Sequence, residues 1–182
     1  MFGPIIVGER ITLAPLTLEM LPNYVRWFAD TEVTRYMGIT NCPTLTMEQE
    51  WFERIARSDT DIVWAILIED RHIGTTAIHQ IHWKNQRAIT GNVIGQKTEW
   101  GKGCGSEAVR LRTAYAFRET TLEKLETEVF TDNIGSRRCL EKAGYRQYGT
   151  ARRHVFRGGK WHDMWLADVL REEWLAAQPI TV

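Results

Sequence analysis

Residues 100–110 read WGKGCGSEAVR, with three glycines in five positions directly before a stretch of helical spacing. Glycine costs roughly 1 kcal/mol relative to alanine inside a helix, so its repetition here implies that something comes close to the backbone. A strand over Ala88–Gly95 precedes the glycines. Ala108, Leu111 and Tyr115, with Val109 and Ala116, carry a helical pattern to about Glu119. Strand, glycine loop and helix together form an anion site. The first-turn N–H groups of a helix lack internal partners, and the aligned peptide dipoles place about half a positive charge there. Gly101, Gly103 and Gly105 let a pyrophosphate reach those amides without Cβ obstruction, with Lys102 and Arg110 at hand as helpers.

Two phosphate motifs compete for this stretch. A Walker loop fails, because Gly95 and Gly101 enclose five residues rather than four and Lys102 is followed by Gly103. The dinucleotide fingerprint is matched literally by Gly103-x-Gly105-x-x-Ala108, but five residues, Gln96 to Trp100, separate it from the strand. Only about 75 residues remain for a second nucleotide-binding half. The blandest alternative is a tight turn with close helix packing.

The rest of the chain describes one domain spanning residues 1–182. Its 182 residues are 43% hydrophobic and 10% aromatic, enough for a packed core, and no repeat or linker interrupts them. The 23 basic and 23 acidic side chains cancel, which argues against nucleic acid or an anionic membrane as partner. Phe2–Val7 is broken by Gly3 and Pro4 with no basic residues ahead, so neither a signal peptide nor a spanning helix is expected, and a cytoplasmic location is. Cys42, Cys104 and Cys139 are odd in number and widely spaced, matching reduced thiols rather than disulfides or zinc.

Periodicity places a first strand at Arg10–Leu13 and amphipathic helices at Thr17–Phe28 and Thr46–Arg57. A hairpin of Ile62–Glu69 and His72–His82 follows, turning at Asp70-Arg71. After the glycine loop and its helix come a strand at Leu125–Thr131 and a short helix at Ile134–Ala143, ended by Gly144 in the left-handed region. Two alternating runs, Tyr145–Arg157 and Lys160–Leu170, close the chain around Gly158-Gly159, the residues of a primed hairpin turn.

VIGQKTEWGKGCGSEA, residues 93–108, resembles the acetyl-CoA pyrophosphate motif of the GNAT N-acetyltransferase superfamily, with Trp100 where arginine or glutamine is usual. DNIGSRRCLEKAGYRQYG, residues 132–149, resembles the later motif of the same family. Trp-Gly-Lys-Gly followed by Glu-Ala is similar to the RimJ/RimL-like branch, which acetylates N-termini of ribosomal proteins. The likeness runs from Glu9-Arg10 to Leu170–Trp174.

The resemblance implies an α+β fold with a central mixed sheet of six or seven strands flanked by helices. Its fourth and fifth strands start parallel and splay apart around acetyl-CoA. Val93 would offer its amide to the acetyl carbonyl and Gly95 would bond the pantetheine amides. Trp100, Gly101, Lys102, Gly103, Cys104, Gly105 and Ser106 would hold the pyrophosphate, with Asn133 of the later motif completing the cofactor set. No metal is implied, and a homodimer is left open.

The implied chemistry is amine attack on a thioester, so the enzyme must align two substrates, remove a proton from an ammonium and stabilise an oxyanion. Glu128, five residues before Asn133, matches a base position of some family members that acetylate protein N-termini. It is equally an ordinary polar position of an alternating strand, sharing a face with Glu126. The family's acid tyrosine is replaced by Leu140, and Ser136 is the substitute, unless its hydroxyl only bonds within the helix turn. A free α-amine needs about 1 kcal/mol to be neutral at pH 7, whereas lysine needs about 4.6, so a weak base favours an α-amine acceptor. Polyamines or antibiotics are the small-molecule alternative, and a dinucleotide-binding oxidoreductase module or a non-catalytic acyl-CoA sensor are the others.

Four further features have bland readings. Cys104 at a helix start is a candidate low-pKa nucleophile, but no histidine is placed beside it and direct transfer needs no acyl-enzyme. His79 and His82, three apart, fall on opposite faces of a strand and would not gather a metal. Arg152, Arg153, Arg157 and Lys160 make a basic run that either meets an acidic substrate or is a solvated surface. Trp161 and Trp165 share a strand face, as core or pocket wall.

Overall fold

The computed structural model describes residues 1–39 and 41–178. Its elements are β1 (Ile6–Val7), β2 (Thr12–Ala14), α1 (Leu21–Phe28), α2 (Leu45–Ala56), β3 (Ile62–Ile68), β4 (Arg71–His82), β5 (Arg87–Ile94), α3 (Cys104–Glu119), β6 (Lys124–Phe130), α4 (Ile134–Lys142), β7 (Arg146–Arg157), β8 (Lys160–Leu170) and α5 (Arg171–Ala176). One mixed sheet runs β1-β2-β3-β4-β5-β6-β8-β7, antiparallel throughout except for β5 beside β6. It has eight strands rather than six or seven because the two residues of β1 pair with β2. The splayed pair is therefore the fifth and sixth strand of this chain.

Helices cover both faces. Ile62, Trp64 and Ile66 join the core shared with Ala108, Ala116, Leu140 and Trp174, whereas Ala65 packs with Leu21, Tyr24 and Trp51 on the other side. Burial on both faces explains why β3 reads as an unbroken apolar run. The helix expected from Thr17 starts as a 3-10 turn, Leu18–Met20, and becomes α-helical at Leu21 with Pro22 in the first turn, where a missing N–H costs nothing.

The turn residues behave as their chemistry demands in two places. Gly158 and Gly159 have φ of 57° and 76°, as a primed hairpin turn requires, and Gly144 ends α4 at 97°. The β3–β4 turn lies one residue earlier than the sequence suggests, at Glu69-Asp70, with Glu69 itself left-handed at 53°.

A bulge corrects the reading of the two histidines. Gln80 has a φ of 50°, and the register shift there sets His79 opposite Ile89 and His82 opposite Arg87, positions that share a face of β5. The rings still stay separate: His79 Nδ1 pairs with Asp61 Oδ1 at 3.0 Å, and His82 Nδ1 accepts from the Asn85 amide. Trp165 is core at 2% exposure, while Trp161 on the same face is exposed near the hairpin tip.

Candidate active site

β5 and β6 pair over three residues only, Arg87–Ile89 against Lys124–Glu126. Beyond them β5 keeps β4 as far as Ile94 and β6 keeps β8 as far as Phe130, so a wedge opens between two strands that each have one unpaired edge. Backbone polar groups at such an edge need partners. Thr90 Oγ1 donates to the Glu126 carbonyl at 3.2 Å, and Thr127 Oγ1 to the Thr90 carbonyl at 3.3 Å. Arg112 of α3, fully buried, then donates through Nη1 to the Gly91 carbonyl at 2.7 Å and to Thr76 Oγ1 at 3.0 Å. Its Nη2 reaches Tyr145 Oη at 3.4 Å, which in turn lies 3.2 Å from Thr90 Oγ1. Sequence reading passed over Arg112. The signal was there: an arginine in the inward stripe Ala108, Arg112, Ala116, all with no exposure.

Val93 stands opposite Thr75 on β4, and the Gly95 N–H bond to the Ile73 carbonyl sets a ladder phase in which the Val93 backbone faces β4, while Asn92 and Ile94 turn theirs to the wedge. The Gly95 N–H already donates to the Ile73 carbonyl at 2.9 Å, so its carbonyl is the group left for a ligand amide. Glycine is required at this position because a Cβ would lie 2.0 Å from the Trp27 ring.

The glycine loop is shaped by backbone rather than by side chains. Gly101 and Gly103 have φ of 76° and 90°, and a Cβ at either would meet nothing within 4 Å. Left-handed backbone facing free space is what an approaching ligand needs. Gly103 is the N-cap of α3 and supplies no side-chain cap. Among the described residues none of the six N–H groups from Gly101 to Ser106 has a protein acceptor, so the positive end of a sixteen-residue helix is wholly available. Gly105 differs: its Cβ position is 3.5 Å from Asn92 Nδ2, an ordinary contact between α3 and β5.

Side chains around the loop are committed. Trp100 Nε1 donates to the Ile94 carbonyl at 2.7 Å. Glu99, buried, takes Arg71 at 2.9 Å and Lys102 at 3.3 Å, and Arg71 first and Lys102 second hold its carboxyl below the ordinary range. Ser106 Oγ donates to Cys139 Sγ at 3.0 Å. Burial, reinforced by the Glu99 charge, pushes the Cys104 thiol up, in line with the reading against a nucleophilic thiolate at this helix start.

At the far end of the wedge, Asn133 Oδ1 accepts from the Ser136 amide at 3.2 Å and caps α4. The Ser136 hydroxyl is half-buried and makes no hydrogen bond among the described residues, and Leu140 points into the core at 4% exposure. Glu128 and Glu126 share a face but not an environment. Glu126 is consumed by Arg87 at 2.9 Å and Lys124 at 3.2 Å, whereas Glu128 is half-exposed and meets only His154, at 3.6 Å.

The β7–β8 hairpin closes over this end. Arg157 is neither a solvated cation nor a substrate arm: it donates to the Met37 carbonyl and to the Ile39 carbonyl at 3.1 Å, pinning the hairpin to the segment after α1. Phe130 lies between Tyr36 and His162, with ring centroids at 5.7 and 5.3 Å.

Residues 10–146 match the family model described as an acetyltransferase (GNAT) domain. The N-acetyltransferase p20 of Bacillus licheniformis is 28% identical over 173 residues, covering 91% of this chain and 96% of its own. YdaF of Bacillus subtilis, provisionally named a ribosomal N-acetyltransferase, is 29% identical over 130 residues, 71% of this chain and 69% of its own. The spermidine N-acetyltransferase of Vibrio cholerae, solved with CoA and spermine, superposes with a TM-score of 0.86 over 92% of this chain and 99% of that one, at 16% identity.

Proposed function

The chain belongs to the GNAT acetyltransferase family, and from that premise we propose that it transfers acetyl from acetyl-CoA to the N-terminal α-amine of a protein or peptide, by direct attack in a ternary complex. The observation that carries the cosubstrate reading is the row of unpartnered amides from Gly101 to Ser106 at the mouth of the β5–β6 wedge. They suit a pyrophosphate, and Gly95 offers a carbonyl to a pantetheine amide. Acetyl-CoA supplies an activated acyl group with a thiol leaving group.

Glu128 takes the ammonium proton in this reading, with His154 3.6 Å behind it. Ser136 is the hydroxyl available to protonate the departing thiolate, because it makes no other bond among the described residues. The acceptor end favours a peptide over a polycation. Three of its carboxylates are engaged, Asp163 by the Arg153 amide at 2.8 Å and Asp30 and Glu32 by Lys97 at 2.8 Å each, which leaves Asp132 and the base Glu128, itself 3.6 Å from His154. A ring or chain bearing several ammonium groups needs carboxylates that are not already paired.

Thiol release from acetyl-CoA tests the activity, using matched peptides that carry either a free N-terminus with blocked lysine or the reverse, and product mapping by mass spectrometry. Acetylation of the α-amine is expected. Exclusive lysine labelling refutes the acceptor assignment, activity confined to polyamines or aminoglycosides replaces it with a small-molecule enzyme, and binding without turnover replaces it with a sensor.

A further inference from the structure

Acetylating a primary amine takes two protons from one nitrogen: the ammonium carries three hydrogens and the amide product one. The first leaves before attack, since the freed lone pair is the nucleophile, and Glu128 is its acceptor in the reading above. The second leaves after the C–N bond has formed, from a nitrogen that attack itself has made positive. A second acceptor is therefore needed on the side of the sheet that Glu128 faces.

The strand register identifies that side. His79 of β4 stands opposite Ile89 of β5, and Ile89 opposite Glu126 of β6, so His79, Glu126 and Glu128 point from one face. Thr76, the β4 residue that Arg112 of α3 bonds, points from the other. Continued two residues further, the register would set Gly91 against Glu128, but the strands have parted there and the wedge lies between them. Over Gly91 lies the imidazole edge: a Cβ on this glycine would stand 3.6 Å from both Cδ2 and Nε2 of His79, with no other side chain within 4 Å. His79 and Glu128 thus flank the start of the gap, and no side chain on β5 separates them. We infer that His79 is the second proton acceptor, taking through Nε2 the proton that the attacking nitrogen sheds once it is bonded to the acetyl carbon; the inference rests on the acetyl-transfer reading above.

The ring is held in the form this step needs. Asp61, just ahead of β3, lies with Oδ1 3.0 Å from His79 Nδ1, and it accepts from Ser58 Oγ at 2.7 Å and from the Gln80 amide at 3.4 Å. Burial works against its charge, yet the hydrogen bonds from Ser58 and His79 hold the Asp61 carboxyl below its ordinary range. An ionised carboxylate only accepts, so Nδ1 carries the hydrogen and Nε2 of the neutral ring keeps a lone pair. Nε2 has no partner among the described residues, and the side chain is 36% exposed, so a substrate can reach it. Other charges on the neighbouring elements are occupied. The Met1 ammonium sits behind Asp61, on its carbonyl at 2.7 Å, and Glu126, beyond Ile89, is paired with Arg87 and Lys124.

The proton count closes. Glu128 takes one proton, the amine lone pair forms the C–N bond, and the carbonyl π pair moves to oxygen. His79 takes the second proton. The oxygen pair then re-forms the carbonyl as the C–S bond breaks, and the thiolate is protonated through Ser136. Two protons leave nitrogen, one ends on sulfur and one is released to water.

Nitrogen-15 spectra of the histidine rings in the unliganded chain should show His79 with Nδ1 protonated and Nε2 bare; the opposite tautomer overturns the inference. His79→Gln should lower kcat at least about 100-fold with acetyl-CoA affinity by calorimetry unchanged. Its deficit should persist at about pH 9, where a free α-amine is already neutral, whereas that of Glu128→Gln shrinks. Added imidazole should restore turnover to His79→Ala in proportion to its concentration. Undiminished turnover in His79→Gln overturns the inference, as does a deficit that shrinks together with that of Glu128→Gln, which would make His79 an acceptor of the first proton. A loss that imidazole does not restore would reduce the His79–Asp61 pair to a pin between β4 and the start of β3. No turnover by the wild-type chain on any amine would instead overturn the acetyl-transfer reading, and this inference with it.

Discussion

Gly103 separates the backbone and electrostatic demands of the loop. Its φ of 90° imposes the same kind of strain on any replacement, of order 1–2 kcal/mol, while free space around its Cβ position means that no protein atom must move. Gly103→Ala therefore measures the backbone cost, and Gly103→Asp adds a charge to it. For the fold, that addition is favourable: position 103 is the N-cap of α3, where aspartate bonds first-turn amides and typically contributes about 1 kcal/mol. For a bound pyrophosphate it is unfavourable. A carboxylate about 5 Å from about two negative charges is repelled by about 1.7 kcal/mol at the dielectric of water, and by more in a partly excluded site. The aspartate variant should thus be at least as stable as the alanine variant in urea, yet bind acetyl-CoA at least about 15-fold more weakly by calorimetry in low salt. Affinities within threefold of each other would refute a pyrophosphate at these amides.

Glu128→Gln should lower turnover with little change in acetyl-CoA affinity, and the deficit should shrink as pH rises and more acceptor is already neutral; a pH-independent loss in the pH–rate profile would mean that Glu128 only positions the amine. Burial lowers the His72 pKa from 6.5 to about 4, with its Nε2 on the Gly74 carbonyl and its Nδ1 on Asn23. Below pH 6.5 the unfolded chain therefore takes up a proton that the folded chain refuses. Stability should fall by about 3 kcal/mol between pH 6.5 and pH 4 from this group, and urea titrations of His72→Gln should lack that part of the slope. Gly95→Ala forces the Trp27 ring off a contact of 2.0 Å and should cost about 1–3 kcal/mol in urea, with weaker acetyl-CoA binding; an unperturbed variant would show that α1 is not packed on this residue.

What was legible in the sequence was local. The left-handed glycines at 101, 103, 144, 158 and 159 are residues whose own backbone conformation demands glycine, so punctuation alone located the loop before α3, the end of α4 and the last hairpin. Helix and strand periods carried α2, β3 to β8, α3 and α4 to within a residue or two, whereas the two-residue β1 and the final α5 were not read and α1 begins four residues after Thr17. What stayed hidden depends on partners far along the chain. Arg157 looked like surface because Met37 is 120 residues away, and Arg112 looked unremarkable because the Gly91 carbonyl lies 21 residues upstream. At Cys104 the sequence shows the helix start, while the burial that pushes the thiol up exists only after α3 docks.

Arg112 also shows what the wedge requires of the fold. Parallel strands that part after three residues leave carbonyls on β5 facing away from β4, and water or a neighbouring strand would normally satisfy them. A guanidinium reaching up from α3 bonds the Gly91 carbonyl and Thr76 Oγ1, tying α3 to the β4–β5 pair that forms one wall of the gap. The arrangement does not favour stability by itself, since Arg112 is fully buried and pairs with no carboxylate among the described residues. Removing a buried charge of this kind relieves desolvation while losing hydrogen bonds worth about 1 kcal/mol each, so the two nearly cancel. Arg112→Met, similar in length and apolar, should accordingly change urea stability by no more than about 1 kcal/mol, yet weaken acetyl-CoA binding and turnover together as α3 loses its tie to the β4–β5 wall. A loss above 3 kcal/mol would make Arg112 a structural pin of the core. Wild-type affinity and turnover in a folded Met variant would show that the wedge stays open without it.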